Sequence, residues 1–243
     1  ITETTGKLYT RRSFIAGATA CTALVAGCAA NSPQNRTAGF KLRQSAPKGK
    51  STVSLRAGTD RGKIIYESLL PFRDEAAGAI GDRQVVIKVN AGMLKEEYAR
   101  FSTHPGHVRG ILEFLQHIYD RPVIISEGTA SMKSSIMPAY KNYGYMPLAS
   151  EYNVEFIDAN DQPTTIVWLH SSKGEPVPVN VINTYLDSDI YLISAARMKT
   201  HDTVVATLST KNVVMGSPQC RWRLKHGGSD KPKMHGGSYK KGY

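Results

Sequence analysis

Val85-Val86-Ile87-Lys88-Val89-Asn90 is the stretch on which the fold turns. Four of its first five residues are β-branched. A continuous run of this kind reads as a strand covered on both faces, the pattern of a parallel sheet. Lys88 interrupts it. Burying an ammonium there is costly without a partner or a ligand, although a lysine at a strand end can also carry its head group out to water. Lys88 and Asn90 share one face of the strand at i, i+2 spacing.

Outward from this strand, helices and strands alternate. Residues 105–119 form the clearest helix: Val108, Ile111, Leu112, Leu115, Ile118 and Tyr119 recur at helical spacing, with Pro105 at the start. Residues 61–80 read as a helix bent near Pro71, and residues 133–146 and 203–213 as two more. Further strands are expected at 53–55, 123–126, 154–157, 166–169, 177–182 and 190–193. Buried strands alternating with helices predict an α/β fold, a mostly parallel sheet flanked by helices.

Three of the strands run directly into polar residues. The first leads to Lys88 and Asn90, the second to Glu127-Gly128, and the third, 190–193, to Arg197, Lys199 and His201. Ligands of open α/β sheets sit at the carboxyl ends of the strands, so these groups are expected to meet there. Lys211, Asn212 and Gly216 follow at a helix end, where they can serve the site or simply finish the helix. His104 precedes the 105–119 helix. The helix dipole disfavours a protonated imidazole there, which suits a base or a metal ligand, or else His104 belongs to a capping turn. His226 and His235 open two His-Gly-Gly units in a basic loop that could wrap an anion or stay solvated. The expectation is that Lys88, His104, Glu127, Lys199, His201 and Lys211 share one cleft. Glu127 would pair with a lysine, ligate a metal together with His201, or act as an acid–base group.

The net charge is +11, and its placement is uneven. Residues 197–243 carry ten basic and two acidic side chains, whereas residues 29–196 are nearly balanced, with 18 basic and 17 acidic. Such a patch attracts anions or forms a solvated tail. Of three cysteines, only Cys220 lies outside the first 28 residues. This excludes a disulfide framework and gives no ligand set for an iron–sulfur cluster.

Residues 1–28 read as an export signal. Arg11-Arg12-Ser13-Phe14-Ile15 has the twin-arginine pattern, a moderately apolar run follows from Ala16 to Ala26, and Val25-Ala26-Gly27-Cys28 has the form of a lipobox. Cys28 would then be the lipidated first residue, bound to the membrane by its acyl chains. The expected partners are the twin-arginine translocation machinery, the membrane and a small anionic ligand. Export also argues against nucleic acid as a partner. Residues 29–50, rich in Ser, Pro, Asn, Gln, Gly and Lys, read as a flexible linker, leaving 51–243 as the domain.

Ile87-Lys88-Val89-Asn90, Thr103-His104-Pro105, Arg197-Met198-Lys199-Thr200-His201, Thr210-Lys211-Asn212 and Lys233-Met234-His235-Gly236 together resemble domain-of-unknown-function family 362, in the family's order, over about residues 52–243. Val89 and Ala196-Arg197 stand where that family commonly shows a proline and Pro-Lys, a departure that resembles an exported branch. The resemblance implies no settled activity. It implies that the domain continues past the last His-Gly, so truncation at the C-terminus is expected. Some relatives carry ferredoxin-like cysteine modules; this sequence has none.

Two functions fit. In the first, an exported enzyme acts on a small anionic substrate, with a bound metal or other cofactor. His104, His201 or Lys199 is then the catalytic group, and Lys88, Asn90, Arg197, Lys211, Asn212 and His235 hold the anion. In the second, a non-catalytic lipoprotein binds an anion or assists a redox system.

Overall fold

The computed structural model describes residues 51–131, 134–171, 173–200, 206–221 and 228–234. In chain order the first elements are α1 (Arg61–Leu69), α2 (Arg73–Ile80), β1 (Gln84–Val89), α3 (Pro105–Leu115), β2 (Val123–Glu127), α4 (Met137–Asn142), α5 (Leu148–Glu151) and β3 (Val154–Asp158). They are followed by β4 (Thr164–His170), β5 (Pro176–Ile182), β6 (Ile190–Ala195), β7 (Lys199–Thr200), β8 (Ala206–Thr207), α6 (Ser209–Gly216) and α7 (Lys231–Met234).

Four strands form one parallel sheet in the order β3-β2-β1-β6. The chain runs outward from β1 through β2 to β3, then returns to the other side of β1 with β6. The direction of winding therefore reverses between β1 and β6, and at such a switch point the crevice beyond the carboxyl ends of the strands stays open for a ligand.

The alternation within β1 separates two environments. Val85, Ile87 and Val89 are fully buried in the main core with Val108, Leu112 and Leu115 of α3 and Tyr140 of α4. Each such aliphatic side chain contributes roughly 1.5–3 kcal/mol on burial. Val86 and Lys88 alternate to the opposite face. There Tyr185, which packs with Ile182 in a second small core, lies over the Lys88 ammonium, 5.4 Å from ring centroid to nitrogen.

α1 and α3 pack without room for a side chain between them: a Cβ on Gly110 would stand 2.3 Å from the Gly62 carbonyl oxygen. The bend expected near Pro71 is present as a 3₁₀ turn, Leu70–Phe72, between α1 and α2.

Three expectations need correction. Residues 53–55 form no strand; Val53 and Leu55 are 84% and 86% exposed, because three alternating residues gain nothing without a neighbouring edge. The strands at 166–169 and 177–182 exist but pair with each other as the antiparallel hairpin β4–β5, apart from the parallel sheet. The helix expected at 203–213 is displaced to Ser209–Gly216, and Ala206–Thr207 instead pairs with Lys199–Thr200. Within the described residues no helix is long and apolar enough to cross a membrane.

Candidate functional site: a lysine-lined cavity at the sheet's switch point

A cavity of about 660 Å³ opens at the carboxyl ends of β1 and β2, beside the switch point between β1 and β6. Its walls include Lys88, Asn90, Glu127, Lys199, Lys211, Asn212 and Lys231, with Met93, Tyr98, Phe101 and Met215 as apolar surface. Four ammonium groups thus face one carboxylate.

Lys88 and Glu127 lie deepest. Lys88 is fully buried, Glu127 is 3% exposed, and Lys88 Nζ stands 2.7 Å from Glu127 Oε1. The Gly128 amide donates to the same oxygen at 2.9 Å, and the Ala91 amide donates to Oε2 at 3.1 Å. An ion pair this deep is tolerable only when its remaining hydrogen-bonding capacity is met as well. Gly216, at the end of α6, is part of the same packing. A Cβ there would come within 2.5 Å of Lys88 Nζ and Cε, so glycine allows the helix to close over the ammonium.

Asn90, Asn212 and Lys199 tie β1 and β6 to α6. Asn212 donates to the Lys88 carbonyl at 3.3 Å and to Ser194 Oγ at 3.1 Å, and Asn90 donates to Asn212 Oδ1 at 3.2 Å. Lys199 Nζ donates to Asn90 Oδ1 and to the Phe101 carbonyl, both at 2.8 Å. A lysine has three N–H donors, so one remains. Burial, with Lys211 and Arg197 nearby, lowers the Lys199 pKa below the ordinary lysine value.

Lys231 is carried by the short helix α7. Asp230, 1% exposed, anchors that helix by accepting from the Asn180 amide at 2.7 Å, from Asn180 Nδ2 at 2.8 Å and from Lys233 Nζ at 2.8 Å. The Lys231 residue is half-buried, but its amine sits deep; burial lowers its pKa, Glu127 partly restores it and Lys88 lowers it again. Amines shifted in this direction can give and take protons nearer neutrality than a free lysine.

Of the residues expected to share the cleft, Lys88, Glu127, Lys199 and Lys211 line this cavity, as do Asn90 and Asn212. His104 does not. It is the N-cap of α3, with Nδ1 accepting from the Gly106 amide at 3.0 Å. Burial, then Arg61 and Arg197, hold its pKa below the ordinary 6.5. The imidazole itself caps the helix, whereas Thr103 Oγ1 accepts from the Asn90 amide at 2.9 Å and donates to the Ala195 carbonyl. Arg197 is also absent from the cavity wall and reaches the Ser102 carbonyl at 3.5 Å. Lys211 and Asn212 lie in the first half of α6, not at its end as expected.

The Glu127 oxygens serve an ammonium and two amides. The described residues contain no group of three or more His, Cys, Asp or Glu suited to a metal. His201, His226, His235 and Cys28 lie outside the described residues.

Two cavity residues were missed in the sequence. Lys231 was counted only as part of the basic end; its signal is the Asp-Lys-Pro-Lys run, where one acid can anchor what the neighbouring lysine presents. Thr207 was assigned to the interior of a helix and so carried no signal of its own.

Residues 85–240 match the family described as Domain of unknown function (DUF362). The chain belongs to this family. The match spans both central strands of the sheet and every cavity residue named above, so the lysine cavity lies wholly within the DUF362 domain. No curated protein and no solved structure matches the chain.

Proposed function

We propose that this protein is exported through the twin-arginine route, tethered to the membrane by lipid on Cys28, and takes a small anionic substrate into the lysine cavity as an enzyme. The observation that carries the reading is the charge count inside the cavity. Lys88 and Glu127 neutralise each other at 2.7 Å, whereas Lys199 and Lys231 share the same space with no second carboxylate among the described residues that line it. A half-buried surplus of ammonium groups is stabilised by an anion through charge-assisted hydrogen bonds.

The chemistry is assigned to the amines. Lys199 keeps a free donor for the anion, and burial, which lowers the pKa of both Lys199 and Lys231, favours proton loss from either ammonium relative to a free lysine. The export reading rests on Arg11-Arg12, the apolar run after it and the Val-Ala-Gly-Cys end of that run.

The test is thermal melting of the purified protein at constant ionic strength against a panel of small carboxylates, phosphates and phosphate esters. At least one anion at a hundred times its dissociation constant should add about 2.7 kcal/mol of stability, and Lys199→Met together with Lys231→Met should abolish the gain. A panel that leaves the melting temperature unmoved would refute the site. Binding without any conversion of the bound anion would support the non-catalytic lipoprotein instead.

A further inference from the structure

Thr207 lines the cavity and is 3% exposed, and among the described residues its Oγ1 has no hydrogen-bond partner. A buried hydroxyl left unpaired costs roughly 1–3 kcal/mol, and such atoms mark places where something else supplies the bond.

The surroundings of that hydroxyl are specific. Thr207 on β8 stands directly opposite Lys199 on β7, so the two side chains are neighbours on one face of the strand pair. Thr207 also stands two residues before the first residue of α6. The N-cap of that helix is Leu208, which offers no side chain to the leading amides. The first turn of an eight-residue helix without a side-chain cap presents partial positive charge and N–H donors. Lys211, in the same turn, lines the cavity beside Thr207.

We infer that the N-terminal end of α6 is the head-group subsite of the cavity, and that it holds a phosphate group of the substrate through Thr207, Lys199 and Lys211. This inference rests on the anion-binding reading above and narrows it to phosphate monoesters. The donors brought to this part of the cavity are separate points: a hydroxyl, lysine ammoniums and a helix terminus. That set suits the several oxygens of a tetrahedral dianion. A planar carboxylate is better matched by the paired N–H groups of arginine, and the one arginine expected here, Arg197, is directed elsewhere. The ester's organic part would then extend toward Lys231 and the Lys88–Glu127 pair.

Titration of inorganic phosphate into the full chain, followed by calorimetry at fixed ionic strength, tests the subsite. The unmodified protein should bind phosphate. Thr207→Val should weaken that binding about ten-fold or more, because a hydrogen bond to a charged group is lost, and Thr207→Ser should restore it. Thr207→Val should melt no lower than the parent, because it removes an unsatisfied hydroxyl while keeping the shape. Equal phosphate affinity in the parent and Thr207→Val would overturn the subsite. So would a cavity that binds acetate or malonate but not phosphate, an outcome that leaves the anion-binding reading intact. Failure of every anion to bind would overturn both.

Discussion

Two basic clusters stand near the carboxyl end of β1, and only one has the makings of a site. The first is Arg61, His104, His107 and Arg197, where the His104 and His107 rings lie 6.0 Å apart beside the starts of α1 and α3. The second is Lys88, Lys199, Lys211 and Lys231 around the cavity. In the first, the local structure consumes the chemistry: His104 spends its acceptor on capping α3, and Arg61 is exposed to solvent, where charge is screened. In the second, Lys88 is fully buried and the other lysines are half-buried, Lys199 keeps an N–H donor beyond its two bonds, and the buried hydroxyl of Thr207 has no partner among the described residues. Basic residues become a binding site when donors are left over in a recess that is partly shielded from water.

The sharpest way to break this comparison is to remove the carboxylate of the second cluster. Glu127→Gln leaves Lys88 charged, fully buried and without a counter-ion. The loss should be about 3–5 kcal/mol, read from urea denaturation midpoints. A loss under about 1 kcal/mol would mean that Lys88 is not held as the geometry indicates.

The sequence disclosed the elements that its patterns define and missed those that depend on pairing. β1, α3 and β2 were legible because runs such as Val85–Val89 and the Val108–Leu115 periodicity have one reading each. Lys88 and Glu127 could be flagged because a charge at the end of a buried run must be answered. Val53–Leu55 alternates like a strand, but alternation cannot show whether an edge is there to receive it. Thr207 was hidden for the same reason: whether residues 206 and 207 are helix or strand is decided by pairing with Thr200 and Lys199, six and eight residues away. The sequence leaves His104 open between site and cap because a neutral histidine at a helix start looks the same whether it binds a ligand or caps the helix.

A smaller effect probes the helix pair beside the first cluster. Gly110→Ala puts a methyl group against the Gly62 carbonyl, 2.3 Å away before any adjustment, and backbone cannot swing aside as a side chain can. The expected loss is about 1–3 kcal/mol, in contrast to Gly78→Ala in α2, where nothing lies within 4 Å and a gain of roughly 0.5–1 kcal/mol is expected. Equal melting temperatures for the two variants would remove the close contact from the account.

The smallest effect is one of pH. Burial lowers the His104 pKa, with Arg61 and Arg197 adding to it, and burial, then His104 and the same arginines, lowers that of His107. Below the ordinary value of 6.5 the unfolded chain therefore binds more protons than the folded one. Stability should be full above about pH 6.5 and decline as the pH falls from there. His104→Asn, which keeps a capping side chain, should flatten part of that decline in melting curves taken from pH 7.5 down to about 5. An unchanged slope would show that the imidazoles do not carry it.

The most direct measurement sets the two clusters against each other. Crystals soaked in tungstate, a tetrahedral dianion with strong anomalous scattering, should show a peak inside the cavity within hydrogen-bonding reach of Thr207 Oγ1, Lys199 Nζ and Lys211 Nζ. The same crystals should show none beside His104 and His107. A peak at the histidines with an empty cavity would contradict the claim that leftover donors in a partly shielded recess make the site.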